Sequence, residues 1–457
     1  MSDDFRGTSR FGFARSGRTT FVPLIVIALL LHGAMARAQD PKFGDSTWVA
    51  PNADAITAPA ALDKPGPRVA DKDHERTWES VLRAPFRVVF FPFRLLARGM
   101  EAGVGAFGGG FVEPKPPKPT YGPKFGIRFE VSDVTTGLED VGVGPSVAWV
   151  PRPDMKFRAS AVTSFKDRRH VLLRGSFKDK EPLGFYLDGN YDYKPYRSFY
   201  GIGNDTEEEA RAFYRMEETW LNLTARLGAH PNKQLRGIMG FSGMSPGPGY
   251  HRGPPLGEVY PPGTVPFGNT ATQYVMAGVS GDLATLDDPL SPSKGVHARA
   301  QARHYRGLSE KDPDYNQWLL EGRSYIPVFA SRRVLVFRAA WTGVDPADES
   351  VEFPFYRLAS SEQGVRFPGY STQRFRDRQL MLGQVEYRWL VSHRLGAFLL
   401  YQAGAVAPET SDFRIDDVHT SYGGGFRMGR AESEAMRLEL GYSVEGLHAT
   451  LRFRTDF

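Results

Sequence analysis

The stretch that decides the fold is LHATLRFRTDF, residues 447–457. Leu, Ala, Leu, Phe, Thr and Phe occupy the odd positions, and His, Thr, Arg, Arg and Asp occupy the even ones. Successive side chains of a β-strand point to opposite faces, so this alternation predicts a strand with one mostly apolar and one polar face. A soluble sandwich can contain one such strand. The number of repeats and the charge of the second face therefore decide the class.

The same alternation recurs along the chain, and its polar face is repeatedly charged. Clear examples are the segments 125–131, 296–303, 381–389 and 436–442, in which apolar residues alternate with Arg, Glu, His or Gln. Charged faces that recur in this way are typical of a wet lumen, with the apolar faces against lipid. The pattern predicts an all-β, transmembrane antiparallel β-barrel.

Sixteen strands are predicted, an even number as in bacterial single-chain barrels. They lie at about 122–131, 142–150, 156–165, 169–178, 183–194, 214–227, 233–243, 270–283, 293–306, 315–328, 332–343, 379–391, 394–406, 418–428, 434–443 and 446–456.

The connections between these strands sort by length. The long gaps 195–213, 244–269 and 344–378 are the fifth, seventh and eleventh connections, whereas the even-numbered connections are short. Outer-membrane barrels have short periplasmic turns and longer outward loops. The long loops therefore all fall on the predicted outer side.

The N-terminal part predicts export. Four arginines precede an apolar run at 21–31, and small residues follow at 34–38, which is the layout of a secretory signal peptide over 1–38. The alternative, a membrane anchor, has only a short apolar run to span with. Residues 39–119 are expected to form a Pro-rich periplasmic linker, and 120–457 the barrel. Within the linker, 78–112 is an amphipathic segment for a membrane interface or barrel mouth, or alternatively a short packed hairpin.

Composition argues against several other functions. The chain has no cysteine, which excludes disulfides and thiolate chemistry. Its net charge of +5 is spread through alternating strands rather than blocks, so nucleic acid is not an expected partner. A G-x-G-x-x-G pattern at 103–108 follows no clear strand, so it does not predict a dinucleotide site. We expect no catalytic residues, no metal and no cofactor; an outer-membrane hydrolase with residues on separate strands is the remaining enzymatic alternative.

Two adjacent segments carry a resemblance to a known family. The longest loop contains EQGVRFPGY at 362–370, and the next strand reads LGQVEYRW at 382–389. The chain here resembles the BamA/TamA superfamily, the bacterial surface antigen type, in which a loop between strands eleven and twelve folds inward with a Val-Arg-Gly-Phe/Tyr motif. The turn at 287–295 and the glycine-rich strand at 422–427 also resemble that family. The resemblance covers roughly 120–457.

The resemblance implies a lumen motif formed by Val365, Arg366, Gly369 and Tyr370. Arg366 would need an acidic partner to offset its desolvation, and Glu386 is the proposed lumen partner. The alternative is a solvated Arg366. Two residues separate Arg366 from Gly369, and Gln402 stands where the family often has Asp. The lumen network is therefore expected to differ from that of other members.

By resemblance, Leu451, Phe453 and Phe457 form a C-terminal signal for the barrel assembly machinery. The first and last strands would meet at a seam that opens laterally. Residues 39–119 lack the pattern of the family's POTRA domains, so this is expected to be a POTRA-less member. The expected role is non-enzymatic, in outer-membrane protein insertion, translocation or membrane organisation. Expected partners are outer-membrane lipids and outer-membrane or exported client proteins. A passive pore or structural barrel is the alternative.

Overall fold

The structure, a computed structural model, describes residues 122–453 apart from 132, 135–140, 165, 180, 229–231, 250–252, 262, 289–291, 329–332, 362–366, 372, 392–394 and 429–435. Of 129–131, 133–134, 141 and 452–453 it describes the backbone alone. The predicted signal peptide at 1–38, the Pro-rich segment at 39–119 and Phe457 therefore lie outside the described residues.

Sixteen long strands dominate this part of the chain, and each corresponds to one predicted strand. The ends of β5 and β7 lie five residues beyond their predicted positions. The strands are β1 (Gly122–Val131), β2 (Val141–Arg152), β3 (Met155–Ser164), β4 (Arg169–Phe177), β5 (Leu183–Phe199), β6 (Ala212–Leu227), β7 (Lys233–Pro248), β8 (Thr272–Ala284), β9 (Gly295–Gly307), β10 (Tyr315–Pro327), β11 (Arg333–Pro346), β12 (Gln379–Leu390), β13 (Leu395–Ala407), β14 (His419–Met428), β15 (Met436–Ser443) and β16 (Gly446–Phe453).

Each long strand pairs antiparallel with the next one in the chain, from β1 to β16. Strand β16 also pairs with the two-residue strand Asp133–Val134, through Leu451 with Val134 and Arg452 with Asp133. Among the described residues no ladder joins β1 to β16. The predicted sixteen-stranded antiparallel sheet is confirmed. Closure of the sheet by a full ladder is not confirmed, because the two ends meet over two residue pairs in the part of the chain that the structure describes.

The two faces of the sheet have the polarity expected of a barrel wall in lipid. Large apolar side chains point outward and are exposed, including Leu223, Leu235 and Met239. Carboxylates point inward and are buried, including Asp282 and Glu386. Water-soluble domains show the reverse arrangement, with charged residues almost never fully buried. We call the face with the buried charges the inner face.

Short elements lie between the strands. The seventh connection contains a four-residue helix, α1 (Leu256–Val259), and 3₁₀ turns occur at Phe355–Arg357, Thr410–Asp412 and Ile415–Asp417. In the eleventh connection, Ala359–Ser360 pairs with Arg376–Asp377 as a small antiparallel ribbon. Within the described residues, no helix has the length and apolarity needed to span a bilayer.

The turn before β9, one of the segments with a family resemblance, is held by an acidic side chain. Asp287 Oδ1 accepts the backbone N–H groups of Ser293 and Lys294, each at 2.9 Å. Asp favours turns because its carboxylate can accept backbone N–H groups a few residues along the chain. This cap fixes where β9 begins.

Candidate functional site

The eleventh connection, residues 347–378, is folded inward rather than exposed. Most of its described residues from Phe353 onward are buried. Its aromatic side chains belong to three apolar clusters with strand residues on the inner face. Phe355 packs edge-on against Phe199 and Tyr214, with ring centroids 4.8 and 5.0 Å apart. The inward loop implied by the family resemblance is therefore present in the structure.

The tip of this loop lies directly on the last strands. Gly369 has φ +92°, a backbone conformation that favours glycine. Its carbonyl accepts a hydrogen bond from Ser443 Oγ on β15. Tyr370 Oη donates to the carbonyl of Thr420 on β14 at 3.2 Å. The predicted motif residues Gly369 and Tyr370 thus anchor the loop to β14 and β15.

A glycine on the wall makes this approach possible. A Cβ added at Gly441 of β15 would lie 2.4 Å from Gly369 N and 2.7 Å from Pro368 C. Both contacts are to backbone, which cannot rotate away as a flexible side chain could. Gly441 therefore leaves room for the loop tip to rest against the strand.

Other loop residues bind the opposite part of the wall. Arg357 Nη1 donates to Ser242 Oγ on β7 at 2.9 Å, and Tyr356 Oη donates to the carbonyl of Thr270 at 2.6 Å. Burial raises the pKa of Tyr356 to about 12, so this phenol remains a donor at physiological pH. The loop is thus attached on both sides of the inner face.

Arg374 joins three connections at the outer end. Its guanidinium donates to the carbonyl and hydroxyl of Thr206 in the fifth connection and to Glu445 in the turn between β15 and β16. The side chains of Arg374 and Glu445 are 5% and 9% exposed, respectively. Burial raises the pKa of Glu445, and the charge of Arg374 acts in the opposite direction. Arg374 therefore connects the buried loop to the final hairpin.

We expect Arg374→Ala to loosen that hairpin, because it leaves Glu445 without its cation in a partly buried place. The loss should be about 1–3 kcal/mol, the usual cost of an unsatisfied buried group. Limited proteolysis with proteinase K measures this loss of stability. We expect faster cleavage at 444–445 and within the loop 347–378. Arg414→Ala, at an exposed arginine, is the matched control. Equal cleavage rates for the two variants would contradict the connection.

Glu386 on β12 is the centre of a buried charge network, which we call the Glu386 cluster. Arg388 Nε donates to its Oε1 at 2.5 Å, and Arg437 Nη2 donates to its Oε2 at 3.0 Å. Gln384 Nε2 adds a third donor at 3.1 Å. The guanidinium of Arg437 also bonds Glu439 at 2.8 Å. A carboxylate that is only 1% exposed needs such partners to offset its desolvation.

The structure describes some of the predicted site residues and not others. Gly369, Tyr370 and Glu386 lie on the inner side of the sheet. Val365 and Arg366 lie outside the described residues, so the pairing of Arg366 with Glu386 stays a prediction. Leu451 and Phe453 belong to β16, while Phe457 is outside the described residues.

Sequence reasoning missed Arg437 as a partner of Glu386. The alternation along β15 already put Arg437 and Glu439 on one face. However, Arg437 and Glu386 are 51 positions apart, and only the strand register brings them together. Arg388 was missed as well, although it lies two residues beyond Glu386 on the same face.

The two end strands form the other notable feature. Residues 123–127 of β1 are exposed on both faces, with Phe125 84% and Ile127 70% exposed. The unpaired edge of a β-strand presents N–H and C=O groups that can pair with another chain. We call the meeting of β1 and Asp133–Val134 with β16 the seam. Within the described part of the chain, no group of acidic or histidine side chains has the arrangement of a metal site.

A sixteen-stranded antiparallel sheet, with buried charges inside, an apolar exterior and a loop folded onto the inner face, defines the fold of a BamA-type barrel protein. The chain is similar to the crystal structure of BamA from Haemophilus ducreyi lacking POTRA domains 1-3. The TM-score is 0.53 at 13% identity, over 71% of this chain and 69% of that one. The fold that the sequence resemblance implied is thus confirmed.

More distant similarity extends to two CdiB structures. CdiB from Acinetobacter baumannii matches with a TM-score of 0.44 at 10% identity, over 71% of this chain and 59% of that one. CdiB from Escherichia coli matches with a TM-score of 0.45 at 9% identity, over 74% and 63%. The chain thus spans less than two thirds of either CdiB chain. No protein-family profile and no curated protein matches the sequence.

Proposed function

We propose that this chain is an exported outer-membrane β-barrel that acts without enzymatic chemistry in the insertion or translocation of proteins, or in organising the membrane. The observation that carries the proposal is the seam. The other neighbouring long strands are joined by ladders of at least seven residue pairs, whereas the described residues of β16 meet Asp133–Val134 over two. A wall of this kind has one place where it can open at low cost.

The buried loop supports the same proposal. Its tip contacts β14 and β15, and Arg374 ties it to the turn that begins β16. A passive pore needs an open path, whereas here a packed loop covers part of the inner face. The expected partners are outer-membrane lipids and unfolded outer-membrane or exported proteins, whose strands could pair with the exposed edge of β1.

The test is a disulfide across the seam in the full chain. The chain has no native cysteine, so V134C/L451C gives a single engineered pair. Directly opposed residues of antiparallel strands have Cα atoms about 4.5–5.5 Å apart, within the range that a disulfide spans. The readout is the rate at which vesicles carrying the chain accept a urea-unfolded eight-stranded outer-membrane barrel. Oxidation should reduce the rate to that of empty vesicles, and reductant should restore it.

The matched control is Y422C/Y442C, a directly opposed pair within the continuous β14–β15 ladder. Its oxidation should leave the insertion rate unchanged. A seam lock that leaves insertion intact would contradict lateral opening. If vesicles carrying the wild type accept the barrel no faster than empty ones, the insertion proposal is wrong. The passive-pore alternative would then predict a large, steady conductance in planar bilayers.

A further inference from the structure

The half of the inner face next to the even-numbered connections has a different character from the half that holds the loop. Three of its carboxylates, Asp282, Glu321 and Glu386, are each shared by two arginines. In the first set Asp282 bonds Arg299 Nε at 2.7 Å and also Arg236. In the second, Glu321 bonds Arg338 Nε at 2.6 Å and Arg323 Nε at 2.9 Å. The third set is the Glu386 cluster.

The register places an arginine directly opposite several arginines of these sets. Arg226 faces Arg236, Arg323 faces Arg338, and Arg427 faces Arg437. Like charges directly opposite across two strands are destabilising. This arrangement recurs at three strand pairs. It lowers the stability of the wall and makes the inner surface there more positive. We call the three sets together with Arg226 the arginine belt.

Arg226 shows that this positive charge is not fully offset by the wall. Its Nη2 donates to the carbonyls of Asp179 and Glu181, at 2.7 and 2.9 Å, rather than to a carboxylate. Its Nε has no hydrogen-bond partner among the described residues, and the same holds for Nη2 of Arg299. The side chain of Arg299 is itself only 10% exposed. Buried donors of this kind are normally satisfied, so a ligand with acceptor oxygens fits here.

The chain's own preceding segment does not supply the missing negative charge. Residues 39–119 contain ten Asp and Glu against eleven Lys and Arg. The segment 78–112 has four arginines against two glutamates. This segment as a whole has no net negative charge, so it does not complement the arginine belt, and a complementary occupant is a separate molecule with several negative charges.

We propose that the arginine belt binds a multivalent anion with several phosphate or carboxylate groups, entering from the side of the even-numbered connections. Guanidinium groups bind such oxygens with charge-assisted, often bidentate hydrogen bonds. Adjacent arginines on neighbouring strands can hold successive groups of one ligand. Binding does not require the seam to open, so oxidised V134C/L451C should bind as well as the wild type.

The experiment is calorimetric titration of the full chain, folded in an uncharged detergent at low salt, with inorganic tripolyphosphate as the probe. R226Q/R299Q removes two belt arginines and leaves Asp282 bonded to Arg236 and His297. Two lost charge-assisted bonds should weaken binding by about 100-fold or more. R306Q/R414Q removes two exposed arginines outside the belt and should change affinity less than about twofold.

Heat-modifiable migration verifies that each variant is folded. If the double variant fails to fold, R226Q alone serves, because it leaves no carboxylate without a partner. Competition by anionic phospholipid vesicles would assign the natural ligand to a lipid headgroup, and competition by soluble anions alone would assign it to a free anion. Absence of wild-type binding, or an equal loss in R306Q/R414Q, would overturn the proposal.

Discussion

Replacing Glu386 by alanine should destabilise the folded chain by about 3–5 kcal/mol, the usual cost of removing one partner from a buried charge network. The variant leaves Arg388 facing Arg437 without the carboxylate that both guanidiniums bond, at 2.5 and 3.0 Å. Arg437 retains Glu439, but Arg388 has no other carboxylate partner among the described contacts. The measurement is the urea midpoint of the heat-modifiable form in detergent.

The matched control is Glu352→Ala, which removes an exposed carboxylate from the loop. Substitutions at exposed sites of this kind usually change the free energy of unfolding by no more than about 0.5 kcal/mol. Glu386→Gln should lie between the two, because an amide keeps one acceptor oxygen but loses the charge. A Glu386→Ala midpoint equal to that of Glu352→Ala would show that the network contributes nothing.

The predicted pairing of Arg366 can be separated from this network by a double-mutant cycle. If Arg366 shares Glu386, the cycle between Arg366→Ala and Glu386→Ala has a coupling energy of about 0.5–3 kcal/mol. If Arg388 and Arg437 occupy the carboxylate fully, the two effects add. The charge reversal Glu386→Arg gives a second measure, because a loop held by this pair should lose its protease resistance.

The strands were predictable because each contains its own signal. A period of two with one charged face needs no information from other parts of the chain, and β1 was predicted at 122–131 as observed. The length of the connections then fixed which side each loop occupies. The closure of the sheet was not predictable in this way, because the alternation in β1 and β16 is the same whether or not the two strands pair.

Site residues could be predicted only where a short sequence motif itself indicates the local geometry. Gly369 and Tyr370 could be named from the sequence because the loop motif is short and contiguous. The role of Gly441 was missed, since a glycine in a strand gives no indication of which distant backbone approaches it. Arg374 was missed for a similar reason: it lies within one loop but binds two others, at Thr206 and Glu445.

Gly441→Ala should displace the tip of the buried loop. The added Cβ would lie 2.4 Å from Gly369 N and 2.7 Å from Pro368 C, well inside van der Waals contact. Overpacking of this kind typically costs about 1–3 kcal/mol. The hydrogen bond from Ser443 Oγ to the Gly369 carbonyl would be strained as the tip moves away from β15. The measurement is the rate of proteinase K cleavage within 347–378, which we expect to rise about tenfold, as a loss of roughly 1.4 kcal/mol would give.

The matched control is Gly383→Ala on β12, where the added Cβ meets only the Ala403 carbonyl oxygen at 3.9 Å. Both variants exchange the same residue types within a strand, so any difference between them reports the contact with the loop. Cleavage that rises equally in both would mean that strand glycines, and not the loop contact, set the protease resistance. Faster cleavage in Gly441→Ala alone, together with a changed insertion rate in vesicles, would link the position of the loop to opening of the seam. An unchanged insertion rate would instead separate the loop from the seam, and would leave the loop as a structural brace for β14 and β15.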